Sequence, residues 1–125
     1  MAGCCVPNAI LPPPVPPLMF PRKTTAIIQI ESNYTFKTGD TLYFTVKVKP
    51  DDDQTDADAL VTKTWVFGAD CNYDNEGCLA LPLDETDTNL DAGNYSYDIK
   101  LVNSDVKDII VFGPLVILPV DTLRV

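Results

Sequence analysis

Two stretches of this chain alternate apolar and polar residues with period two. Residues 41–49 read TLYFTVKVK, which puts Leu42, Phe44, Val46 and Val48 on one face and Thr41, Tyr43, Thr45, Lys47 and Lys49 on the other. Residues 94–102 behave alike, with Tyr95, Tyr97, Ile99 and Leu101 facing one way. That period belongs to a strand buried on one side. Runs rich in β-branched and aromatic residues add strands over 24–31, 60–67, 78–83 and 108–120. In residues 60–67, Val61, Trp65 and Phe67 share a face. Pro82 marks its strand as an edge or bulged element, and Gly113-Pro114 kinks the last one. Residues 36–40 form a turn in which Gly39 suits a positive φ. Residues 51–58 hold five aspartates and read as an exposed loop. Residues 68–77 read as a polar loop and 103–107 as a hairpin turn. No helical periodicity of useful length interrupts this pattern.

About seven short strands with turn signals between them predict an all-β fold, a two-sheet antiparallel β-sandwich of immunoglobulin-like type. Leu90-Asp91-Ala92-Gly93-Asn94-Tyr95-Ser96-Tyr97 has the form of a tyrosine corner, with Tyr95 as the corner residue. Tyr97 then stands where antibody domains place a cysteine, and Trp65 is expected as the central tryptophan of strand C. A small barrel or jelly roll is the alternative.

The first 21 residues break the pattern. They carry no charged side chain and seven prolines: Pro7, Pro12, Pro13, Pro14, Pro16, Pro17 and Pro21. Proline lacks the backbone donor and fixes φ, so this segment is expected to run extended, close to polyproline II. It also carries Val6, Ile10, Leu11, Val15, Leu18, Met19 and Phe20, a composition that disordered tails avoid. The expected organisation is an extended arm over residues 1–22 and a sandwich over 23–125. The arm is expected to lie on a neighbouring subunit through Pro7, Ile10, Leu11, Pro12, Pro13, Pro14, Val15, Pro16, Pro17, Leu18, Met19 and Phe20. A flexible tail and a ligand for proline-reading domains are the alternatives.

All 9 basic and 18 acidic residues lie beyond residue 21, for a net charge of −9. That balance disfavours nucleic acid and anionic membrane surfaces. No run approaches the roughly 20 apolar residues that span a bilayer. The first residues show neither a basic nor an apolar signal region, so synthesis in a cytoplasm is expected.

Reactive chemistry is thinly represented. The chain has no histidine, which removes Ser-His-Asp and Cys-His arrangements within it. Paired carboxylates abound, but a domain this small offers little cleft in which to raise the pKa of an acid. No enzyme activity and no cofactor are expected. Asp70, Asn72 and Asp74 place oxygen ligands at alternate positions, as a calcium loop does, but Asn75 and Leu81 occupy the positions of its glycine and glutamate. Cys71 and Cys78 bracket six residues, a span that a disulfide can close. The adjacent pair Cys4-Cys5 with Cys71 and Cys78 does not have the spacing of zinc knuckles.

From Phe36 onward the chain resembles small immunoglobulin-like domains of tailed-phage and prophage virion proteins, including the N-terminal domains of baseplate upper proteins. The matching residues are Phe36-Lys37-Thr38-Gly39-Asp40-Thr41, Leu90 through Leu101, and Val111-Phe112-Gly113-Pro114-Leu115-Val116-Ile117. The arm and the four cysteines depart from that family. The resemblance implies a virion structural protein made in a bacterial cytoplasm: a baseplate, tail-fibre joint, neck or capsid-decoration component that meets other virion proteins in a homo- or hetero-oligomeric assembly. The alternative is a carbohydrate- or host-surface-binding module that binds through its loops at 51–58 and 68–77, with calcium assisting there.

Overall fold

A computed structural model describes residues 17–48 and 59–122. Every regular element among them is a strand: β1 Leu18–Pro21, β2 Ala26–Ile30, β3 Thr41–Lys47, β4 Val61–Val66, β5 Asn72–Tyr73, β6 Leu79–Leu83, β7 Gly93–Val102 and β8 Lys107–Leu118. They form a five-stranded sheet in the order β1-β8-β7-β3-β4 and a three-stranded sheet in the order β2-β6-β5. All pairings between these strands are antiparallel except β1 with β8, which is parallel.

The alternating faces predict the inside correctly. Leu42, Phe44 and Val46 of β3 and Tyr97, Ile99 and Leu101 of β7 are buried, and Tyr95 is packed at the margin of the same core. They meet Ile28 and Ile30 of β2 and Leu79, Leu81 and Leu83 of β6 from the other sheet. Each such side chain removed from water contributes roughly 1.5–3 kcal/mol. Val48 departs from the expected face: it lies past the end of β3 and is exposed. Gly39 adopts the expected positive φ, at 97°, and Asp40 N–H closes the turn on Lys37 C=O at 3.0 Å.

Several expectations are corrected. Eight strands replace about seven. β1 comes from within the proline-rich segment, so residues 18–21 belong to the sheet and the sandwich begins earlier than residue 23. β5 arises inside the stretch read as a polar loop. Trp65 does fill the centre, at 1% exposure, but it comes from β4 at the edge of its sheet. The interior strand β3 already fills its inward positions with Leu42, Phe44 and Val46. The indole crosses to the other sheet instead, donating from Nε1 to Pro82 C=O at 2.9 Å. The irregularity in β8 falls at Ile110, which the register skips between Ile109 and Val111, and not at Gly113-Pro114. Pro82 lies on β6, the middle strand, but β5 pairs only with Leu79 and Ala80. The proline therefore occupies a stretch that behaves as an edge.

Candidate functional site

Pro7, Ile10, Leu11, Pro12, Pro13, Pro14, Val15 and Pro16 lie outside the described residues, as do the aspartates of 51–58. The root of the arm is described. Pro17 is exposed, Met19 is 55% exposed, and Leu18 and Phe20 pack into the chain's own core. Two of the residues expected to meet a neighbour thus face this chain's interior, because the parallel register on β8 turns alternate side chains inward.

The segment after β1 is pinned to the end of β8 and to the crossover between β6 and β7. Arg22 N–H donates to Leu118 C=O at 3.0 Å, Lys23 N–H to Thr88 C=O at 3.3 Å, and Thr24 N–H to Thr88 Oγ1 at 2.8 Å. Thr88 is buried and returns its hydroxyl proton to Thr24 C=O at 2.6 Å. The Arg22 guanidinium reaches Asn89 Oδ1 at 3.1 Å and Asp91 at 3.5 Å. Lys23 has φ 59°, the only positive value outside glycine among the described residues. A side chain in that region is strained.

Of the residues proposed for a cation, Asp70 sits in the turn between β4 and β5, Asn72 on β5, and Asp74 in the turn between β5 and β6. Asp70 Oδ2 accepts from Val66 N–H at 2.8 Å, and Asn72 Oδ1 accepts from Tyr73 N–H at 2.8 Å. Asp74 Oδ1 accepts from the N–H groups of Glu76 and Cys78, and its Oδ2 from the Gln29 amide. Those donors, Cys78 N–H foremost, hold the Asp74 carboxyl below its usual value of 3.8. Each of the three side chains thus organises the turn with its oxygen. Among the described residues no cluster of three or more Cys, Asp or Glu forms a set of metal ligands.

Cys71 and Cys78 are free thiols, the first buried and the second half-buried. β5 and β6 pair Asn72 with Ala80 and Tyr73 with Leu79. Extending that register sets Cys71 level with Leu81, roughly 10 Å along the strand from Cys78. A disulfide needs Cα atoms within about 7 Å. Burial, with the Asp70 charge beside it, pushes the Cys71 thiol up to about 11. Desolvation and the charges of Asp74, Glu31 and Glu76 raise Cys78 as well. Thiols kept protonated in this way are poor nucleophiles.

Tyr73, the aromatic residue of the candidate sugar-binding loops, is engaged internally. Its hydroxyl accepts from Phe36 N–H at 2.8 Å and its ring meets Phe67 edge-on at 5.3 Å.

Three polar features escaped sequence reasoning. Asp40 is 3% exposed. Its carboxylate accepts from Tyr34 Oη at 3.1 Å, Lys37 N–H at 3.0 Å and Asn103 Nδ2 at 3.1 Å, joining two turns at one end of the molecule. Lys63 points inward from β4 and reaches Asp87 at 2.9 Å and Asp84 at 3.7 Å. The hydrogen bond to Asp87 raises the Lys63 pKa above its usual 10.5. Beside it lies an open groove of about 630 Å³, lined by Thr25, Ala26, Ile27, Lys63, Pro82, Leu83 and Asp84. The third is Tyr97, whose hydroxyl is buried with no hydrogen-bond partner and whose pKa burial pushes up to about 12. None of the three is legible locally: Lys63 meets carboxylates more than 20 residues away, Asp40 is buried where Asn103 from a distant turn covers it, and the Tyr97 hydroxyl is enclosed by strands from across the fold.

Asp40, Asp70, Asp74, Asp84, Asp87 and Asp91 are thus committed to turns and ion pairs. No helix among the described residues is long and apolar enough to cross a membrane. Compared with known protein-family models and with curated proteins, the chain matches none.

Proposed function

We propose that this protein is a non-catalytic assembly module: an immunoglobulin-like sandwich of a phage virion, anchored to neighbouring virion proteins by the leader that precedes β1. The strand order supports the immunoglobulin-like part. β2-β6-β5 stand where that fold places strands B, E and D, and β8-β7-β3-β4 stand where it places G, F, C and C′. Tyr95 Oη donates to Asp91 C=O at 2.5 Å, the hydrogen bond of a tyrosine corner.

One observation carries the anchoring role. The root of the leader is fixed: β1 binds it along β8, and the chain leaves the sheet at an exposed Pro17. An uncharged apolar segment that continues from a sheet edge has a defined starting point, and its prolines lower the ordering cost of docking. The virion setting rests on the resemblance of residues 36–41, 90–101 and 111–117, and baseplate, tail-fibre joint, neck and capsid decoration all suit it. Neither nucleic acid nor membrane enters this reading.

Deleting residues 1–16 tests it. The shortened chain is expected to melt within about 2 °C of the full chain, since every described strand and the whole described core are retained. It is expected not to enter particles when it replaces the full chain in a phage lacking the intact gene. Incorporation at the full-length level would overturn the anchoring role.

A further inference from the structure

We propose that β1 is an exchangeable strand, and that two copies of this chain pair by each laying Leu18–Pro21 on the β8 of the other. This deepens the assembly reading by naming a second copy as the partner, and it rests on that reading for its use in a particle.

The hinge is one residue wide. Lys23 is held at φ 59°. On its N-terminal side, Arg22 N–H bonds to Leu118, and the Arg22 side chain bonds to Asn89 and Asp91. These contacts travel with β1 and can form again on another copy, where the same residues wait. On its C-terminal side, Thr24 is locked to Thr88 within its own sandwich. Turning Lys23 to an extended φ redirects β1 outward and gives up the bonds from Lys23 N–H to Thr88 C=O and from Thr24 Oγ1 to Pro21 C=O, among the contacts of the hinge. It also releases the strain of a left-handed lysine. Every β1–β8 contact made within one chain is available between two. A strained short hinge beside a self-complementary strand is the condition for exchange. A second copy is the occupant because it supplies the same four residues in the same register: Leu18 with Leu115, Met19 with Val116, Phe20 with Ile117 and Pro21 with Leu118. Exchange also carries each leader onto the neighbour.

The test pairs two singly labelled full chains in a background with all four natural cysteines replaced by alanine. One carries Met19→Cys, the other Val116→Cys, at positions that face each other across β1 and β8. Mixed, incubated and oxidised, they are expected to yield a covalent heterodimer. A chain carrying both substitutions that closes only within itself at every concentration would overturn the proposal. The hinge gives a second readout on the natural cysteines. Lys23→Val disfavours the left-handed turn and is expected to tighten dimerisation about tenfold, whereas Lys23→Gly relieves it and loosens dimerisation by a similar factor. Equal sedimentation of all three chains would also overturn exchange. A chain that cross-links in trans yet enters no particle removes the assembly reading alone. A chain that enters particles without cross-linking in trans removes exchange alone.

Discussion

At one edge of the five-stranded sheet, β4 turns Trp65 and Lys63 inward and ties both to the opposite side of the molecule, the indole to Pro82 and the ammonium to Asp87. At the other edge, β1 contributes four residues, of which Phe20 alone is buried. An inward-pointing charge on an edge strand deters pairing with a further strand, because adding one would strand that charge. β4 is thereby a closed edge. β1 has no such device; it is a short strand from the end of the leader, held by Phe20 and a strained turn. The difference teaches that this sandwich protects one margin and leaves the other to a detachable segment of its own chain.

The sharpest way to break the comparison is Trp65→Ala. Losing the largest core side chain at the closed edge is expected to cost about 3–5 kcal/mol, read by denaturant unfolding. A loss under about 1.5 kcal/mol would mean that the indole does not hold that edge. Phe20→Ala comes next, at about 2–3 kcal/mol, less because the site lies at a margin that can relax. Hydrogen exchange sharpens the contrast. Amides at Leu115–Leu118 are expected to lose protection in the Phe20 variant before those of β3 and β4, and uniform loss across both edges would erase the distinction.

The smallest effect is at Lys63. Lys63→Met is expected to cost about 1 kcal/mol at neutral pH, since Asp87 loses its partner at a partly buried site. The pH dependence has a definite sign. The folded-state pKa of Lys63 is raised, so its contribution is complete below the usual 10.5 and is lost as pH rises through the higher folded value. Tyr97, kept neutral by burial, adds to the same alkaline decline above its ordinary value of 10. The Met variant should therefore show a shallower fall in stability above about pH 10.5 without abolishing it. An unchanged alkaline slope would show that the ion pair does not help close the edge.

Much of the framework was legible locally. The alternation in 41–49 and 94–102 named the inward faces of β3 and β7 except at Val48, and Gly39 named its turn. The two strands that were missed are both short. β1 was hidden because its prolines argue against strand, and four residues on an edge tolerate what a longer interior strand does not. β5 was hidden because Asn72 and Tyr73 are both exposed and show no alternation to read. Of the candidate site residues, Leu18 and Phe20 were singled out for their apolar character, but composition could not say which surface would cover them.

By itself, the order of residues determined that this chain folds into strands, which faces of the long ones are apolar and where the turns fall. Each of these is a property of neighbours along the backbone, set by side-chain alternation and by the conformations glycine and proline permit. Only the tertiary structure decided that Leu18 lies beside Leu115 and that Trp65 reaches Pro82 from an edge. It also decided that Asp40 is buried against Asn103 and that Cys71 and Cys78 stand apart along one hairpin. These depend on which strand pairs with which and in what register. That choice is made by the whole core closing at once, because an apolar side chain can be covered by any surface that fits it.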